Sequence, residues 1–194
     1  MNTEDYEEEF AVLDDMHQIY SLLHIALNRI QAQADSCLEN ITSRQLMLLM
    51  AIQHLKCEEA TIVNIAGILG TSKQNVTRLV SSMIRSGYLA SKPGEKYKRN
   101  VNISITKSGM EVMQQTTIHS NVYFLHLFQD FSRDELKILR TMLEKLNKYD
   151  SQQKYFEEKA DIDIGKNSPE MENFLDQLHD TFLRKEKGGN DGVQ

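Results

Sequence analysis

The chain has 194 residues, 40% hydrophobic and 26% charged, enough apolar material for one sizeable core, or a core plus a helical interface, and too much for a disordered chain. Seven acids and no Lys or Arg precede Arg29, the opposite of a secretory signal or transit peptide, and no apolar run approaches the ~18–20 residues of a membrane span. The net charge is −6, yet Ser72 to Lys107 holds eight basic residues against the single acid Glu95, so this 36-residue window is +7 and the rest is −13. Such a window is a footprint for a polyanion on an otherwise repelling surface; an ordinary solvated stretch is the alternative.

Glycine and proline are scarce and apolar residues recur at three and four, so the chain is mainly α. Leu13, Met16, Tyr20, Leu23, Leu27, Ile30 and Ala34 form one stripe, predicting a helix from about Glu8 to Ala34. At 1.5 Å per residue it is roughly 40 Å long, more than a small domain covers by itself, so part of it is expected to meet another subunit. Thr42 with Gln45 forms a capping box that opens a second helix, about Ser43 to Lys56. A short third follows, Ile62 to Leu69. Gly70 and Thr71 make a turn, Ser72 caps a fourth helix, and Gly87 sits where a residue of positive φ is wanted after its end. Leu89–Lys92 and Val101–Thr106 read as two strands, the second alternating Val101, Ile103 and Ile105, around the basic hairpin tip PGEKYKRN.

A long fifth helix is expected from about Lys107 to Gln129, with Met110, Met113, Thr117, Phe124 and Leu127 on or near one face. Ser132 and Glu135 form a second capping box for a sixth helix continuing to about Lys159. Ser168-Pro169-Glu170 opens a seventh with Met171, Phe174, Leu175, Leu178 and Phe182, and the GGNDGVQ end reads as disordered.

The second, third and fourth helices with the hairpin read as a winged helix-turn-helix: a three-helix core plus a two-stranded β-wing. The residues that carry a family likeness are Ile65-Ala66, Leu69-Gly70, Ser72 through Leu79, Gly87-Tyr88-Leu89 and Ile105 through Gly109. In this order and spacing they resemble the MarR family of bacterial transcriptional regulators, over roughly Val12 to Lys159. The resemblance implies a homodimer with long N- and C-terminal dimerisation helices, bound to double-stranded DNA and released by a small-molecule effector. The expected division is 1–41 acidic N-terminus and dimerisation helix, 42–106 DNA-binding domain, 107–160 dimerisation helices and 161–194 an extension beyond the usual family length.

A helix of this size fits the ~12 Å major groove. Val76, Leu79, Val80 and Met83 or Ile84 are expected on its buried side, leaving Lys73, Gln74, Thr77, Arg78 and Ser81 outward. Gln74 can pair bidentately with adenine, Arg78 with guanine or phosphate, and Thr77 with phosphate or a thymine methyl. The candidate DNA-binding residues are Ser72, Lys73, Gln74, Asn75, Thr77, Arg78 and Ser81, with Lys96, Lys98 and Arg99 in the wing. MarR wings usually carry Asp-x-Arg with the arginine in the minor groove. Counting back from Thr106 places that arginine at Arg99 but finds Tyr97 where the acid belongs, so either Arg99 is held differently or Glu95 substitutes after a shift. A phosphate-only contact is the alternative.

Cys37 and Cys57 are too few for a disulfide framework and lack C-x-x-C spacing, which points to a reducing cytoplasm and ordinary structural thiols. His17 and His24, like His119 and His126, are seven apart, about 10.5 Å along a helix, too far to share one ion. No metal, no cofactor and no enzyme is expected, since no phosphate loop or nucleophile with its base is present. The expected function is a cytoplasmic repressor obstructing promoter DNA. A winged-helix protein-interaction module without sequence-specific DNA binding is the alternative.

Overall fold

The computed structural model describes residues 6–56, 59–93, 101–147 and 169–183. In chain order these form α1 (Glu7–Cys37), α2 (Ser43–His54), α3 (Ile62–Ile68), α4 (Lys73–Arg85), β1 (Leu89–Pro93), β2 (Val101–Ile105), α5 (Lys107–Phe128), α6 (Arg133–Asn147) and α7 (Pro169–Phe182). The wing tip, Cys57, the continuation of the sixth helix toward Lys159 and the C-terminal end lie outside the described residues.

The core sits where α2, α3, α4 and the wing meet the first half of α5. Leu48, Leu49, Ile65, Val76, Met83 and Met113 are its largest fully buried side chains. Local chemistry starts several of the helices. Thr42 and Gln45 cap α2 reciprocally, Gln45 N donating to Thr42 Oγ1 at 3.3 Å and Thr42 N to Gln45 Oε1 at 2.8 Å. Thr61 caps α3 by accepting from Asn64 N at 3.3 Å. Ser132 accepts from Glu135 N at 3.3 Å, and its backbone N–H and hydroxyl both donate to Glu135 Oε2 at 2.8 Å, which holds that carboxyl below its ordinary value.

The strands pair antiparallel in the register Leu89↔Ile105 to Pro93↔Val101. Thr61 adds a bridge to Asn102, with Ile103 N donating to Ala60 O at 2.8 Å, so the stem of the wing is tied to the start of α3 as well as to β1. Of the alternating set on β2 only Ile103 is buried; Val101 is 47% exposed because it pairs at the end of the ladder farthest from the core.

One expectation is corrected and one choice is settled. The buried face of α5 runs through Gly109, Val112, Met113, Thr116 and Ser120, while Phe124 is 46% exposed. The face turns because Gly109 must lie against the end of β1, which sets the rotation of the helix. The buried Ser120 hydroxyl donates to Thr117 O at 2.9 Å, which satisfies it within the helix. In α4 the choice between Met83 and Ile84 falls to Met83, buried, with Ile84 at 37% exposure.

Among the described residues, helix α1 is hydrogen-bonded to the rest of the chain through its last turns. Tyr123 Oη donates to Ile30 O at 3.0 Å, Arg44 Nη2 to Gln31 Oε1 at 3.0 Å, and Ser43 N to Asp35 Oδ1 at 2.6 Å. No residue of its 31 is buried, and Met16, Tyr20 and Leu27 are 60% or more exposed.

Candidate nucleic-acid interface

The turn before α4 is set by Gly70 at φ 58, where a side chain would strain the backbone, and Thr71 N closes it by donating to Ala66 O at 3.1 Å. Ser72 then caps α4, accepting from Asn75 N at 3.2 Å. Val76, Val80 and Met83 are buried at the spacing of one helix face and Leu79 partly so, which fixes the rotation of α4. Ser72, Lys73, Gln74, Asn75, Thr77 and Arg78 are consequently exposed, whereas Ser81 is half-buried at the edge of the packed face.

The exposed residues are partly organised. Asn75 Nδ2 donates to Thr71 Oγ1 at 3.2 Å, and Arg78 Nη2 donates to Asn75 Oδ1. Thr77 Oγ1 donates to Lys73 O at 2.8 Å, so its hydroxyl proton is used inside the helix and its methyl group and lone pairs remain for a partner. The Thr71–Asn75–Arg78 chain was not anticipated from sequence, although its i, i+4, i+7 spacing is visible there. Lys96, Lys98 and Arg99 lie outside the described residues; the stem that carries them leaves the body at the Pro93↔Val101 pair.

The far end of α4 is locked to α5. Gly87 at φ 78 turns the chain, and its carbonyl accepts from Thr106 Oγ1 at 2.6 Å, while Thr106 Oγ1 itself accepts from Gly109 N at 3.0 Å. The end of α4, the end of the wing stem and the first turn of α5 are therefore tied together. A small cleft of about 120 Å³ lies where the α1–α2 connection meets α5, lined by Leu38, Glu39, Asn40, Gln115, Thr116 and His119.

No model of a known protein family matches the chain. Solved structures do. A mutant MarR from E. coli complexed with operator DNA superposes with a TM-score of 0.61 at 20% identity, covering 69% of this chain and 96% of that one. The chain has the fold of the MarR family. The MarR fold is matched equally in the S. aureus MepR–DNA complex, at TM-score 0.60 and 22% identity over 66% of this chain and 94% of MepR. A MarR/EmrR family regulator from Acinetobacter sp. ADP1 gives 0.62 at 20% identity over 72% and 98%. Among curated proteins, the transcriptional activatory protein BadR of Rhodopseudomonas palustris is 31% identical over 102 residues, 50% of this chain and 57% of BadR. The HTH-type transcriptional regulator PapX of Escherichia coli is 27% identical over 75 residues, 39% of this chain and 46% of PapX. The chain thus spans about half the length of the curated relatives it matches. The structural neighbours are covered almost whole by about two-thirds of it, so the MarR fold here carries additional chain.

Among the described residues no group of three His, Cys, Asp or Glu is placed to hold a metal, and no helix is long and apolar enough to cross a membrane. Cys37 is exposed at the end of α1.

Proposed function

We propose that this protein is a sequence-specific DNA-binding transcriptional regulator that works as a homodimer, a repressor relieved by a small effector. The observation that carries the reading is α4: a capped 13-residue helix, packed on one side and presenting Lys73, Gln74, Asn75, Thr77 and Arg78 on the other. In the major groove Gln74 is suited to adenine and Arg78 to guanine or phosphate, and Thr77 offers its methyl to thymine. Ser72 and Lys73, at the helix start, are placed for phosphate, and Ser81 for a peripheral contact. Lys96, Lys98 and Arg99 add backbone attraction from the wing, with Arg99 reaching the minor groove.

One such helix reads only a few base pairs, and two related by a twofold axis read half-sites about one turn, ~34 Å, apart. The exposed apolar stripe of α1 and those of α5 and α6 supply the twofold interface. In this scheme 1–41 and 107–160 hold the dimer, 42–106 binds DNA and 161–194 is an added segment. The cleft beside His119 and Asn40, where the dimer helices meet the winged body, is where an effector would change the separation of the two recognition helices. The solved relatives named above include two bound to DNA, which supports the reading.

DNase I footprinting of the DNA upstream of the protein's own gene tests it. Two protected half-sites about one helical turn apart are expected. Uniform protection, or none at any concentration, contradicts it.

A further inference from the structure

Helix α7 does not simply close over α5 and α6; it leaves a cleft of about 330 Å³ between them. This is at the low end of the ~300–1,000 Å³ of ligand pockets, and about twice the ~150 Å³ void that admits benzene. Four aromatic rings frame it, Phe124 and Phe128 from α5 facing Phe174 and Phe182 from α7. Phe128 is not free to swing into the gap, since its ring packs edge-on against Phe131 with centroids 5.8 Å apart.

The wall is apolar but for two side chains, Asn121 and Arg133. Arg133 forms no ion pair among the described residues. Of the acids nearest it in sequence, Asp134 bonds Lys137 at 2.7 Å and is reached by Arg133 through charge alone, and Glu135 accepts from the Ser132 hydroxyl at 2.8 Å. A guanidinium with no described carboxylate within ion-pair distance, at the rim of an aromatic cleft, selects a planar anionic head on an apolar body, because a carboxylate accepts two parallel N–H bonds from it.

We propose that α5, α6 and α7 form a binding site for a small apolar carboxylate, with its body between the phenylalanine rings and its head on Arg133 and Asn121. The site is separate from the cleft at 38–40 and 115–119, and it stands whether or not the chain binds DNA. Its third wall is α7, so an occupied site pins that helix to α5 and α6.

The test is isothermal titration calorimetry of the full chain with 2-naphthoate and with its neutral analogue 2-naphthylmethanol. Wild type is expected to bind naphthoate saturably, one per chain, with Kd below about 1 mM, and the alcohol about tenfold more weakly. Arg133→Gln, an exposed position whose change leaves the packing intact, is expected to erase that tenfold preference. Leu178→Trp, which fills the cleft, is expected to abolish binding of both, with circular dichroism confirming the fold. Absence of saturable heat with wild type overturns the proposal, as does unchanged naphthoate binding in both variants. So does a cleft that binds neither probe while Leu178→Trp changes the sedimentation mass, since it is then a contact between copies.

Discussion

Arg78 donates from Nη2 to Oδ1 of Asn75, one turn earlier on the exposed face of α4. Asn75 is itself held in place, because its side-chain Nδ2 donates to Thr71 Oγ1 at 3.2 Å and its backbone N–H donates to the Ser72 hydroxyl at 3.2 Å. The guanidinium is thus tethered to the turn of the helix-turn-helix before any DNA arrives, and part of the entropy of ordering it is already spent.

Asn75→Ala is accordingly expected to weaken operator binding about tenfold while leaving the thermal midpoint nearly unchanged, the residue being exposed. The double variant Asn75→Ala/Arg78→Ala should bind no more weakly than Arg78→Ala alone. Strictly additive losses in this cycle would show that Asn75 acts on DNA independently of Arg78.

Gly109 sets the junction between wing and α5. A Cβ there would overlap the Tyr88 carbonyl oxygen and the Ile105 side chain, and the first of these is backbone that cannot swing away. Gly109→Ala should cost about 1–3 kcal/mol in chemical denaturation. Gly67→Ala, on α3 with nothing within 4 Å of the new methyl, should be neutral or stabilising by up to about 1 kcal/mol. Equal effects at the two sites would contradict this account of the junction.

The Tyr123 hydroxyl joins α5 to α1 through Ile30 O, and burial, followed by the nearby Cys37 thiol, pushes its pKa above the ordinary value of 10.0. A raised folded-state pKa means a contribution fully present below pH 10 and lost as the pH rises through the folded value. Tyr123→Phe should lower stability by about 0.5–1 kcal/mol near neutrality. The gap between wild type and variant should stay constant to about pH 10 and close above it, measured by urea denaturation at a series of pH values. A gap that widens with alkali would be the wrong sign.

The exposed stripe on α1 is the basis for expecting a dimer. Met16→Glu/Leu23→Glu places two charges on it at positions 60% and 41% exposed in the single chain, so the fold of one chain should survive. Sedimentation equilibrium should give twice the 22.4 kDa chain mass for wild type and the single mass for the variant. A variant that remains dimeric would move the interface off this stripe.

What the sequence revealed in advance was what short-range chemistry decides. The Thr42/Gln45 and Ser132/Glu135 boxes, the Ser72 cap and the two turn glycines at 70 and 87 each involve residues within a few positions of one another, and all are found. The buried face of α4 was legible because an amphipathic helix on a core leaves a clear period. The bridge from Thr61 to Asn102 was not, since it joins residues far apart in the chain and only one rung long. The buried face of α5 includes the expected Met113 but not Phe124, because the rotation of the helix follows from Gly109 meeting Tyr88 O, a contact that no helical period encodes. The cleft under α7 depends on where three helices come to rest, and the phenylalanine spacing alone reads as ordinary core.

The central claim, sequence-specific recognition by α4, is tested most directly by fluorescence anisotropy of the purified protein on duplexes tiling the DNA upstream of its own gene, beside a scrambled duplex, at two salt concentrations. One tile should bind at least ~10³-fold more tightly than the scramble, with affinity falling steeply as salt rises. Absence of detectable binding to any duplex at low salt would contradict the claim and bring forward a winged module that binds protein instead.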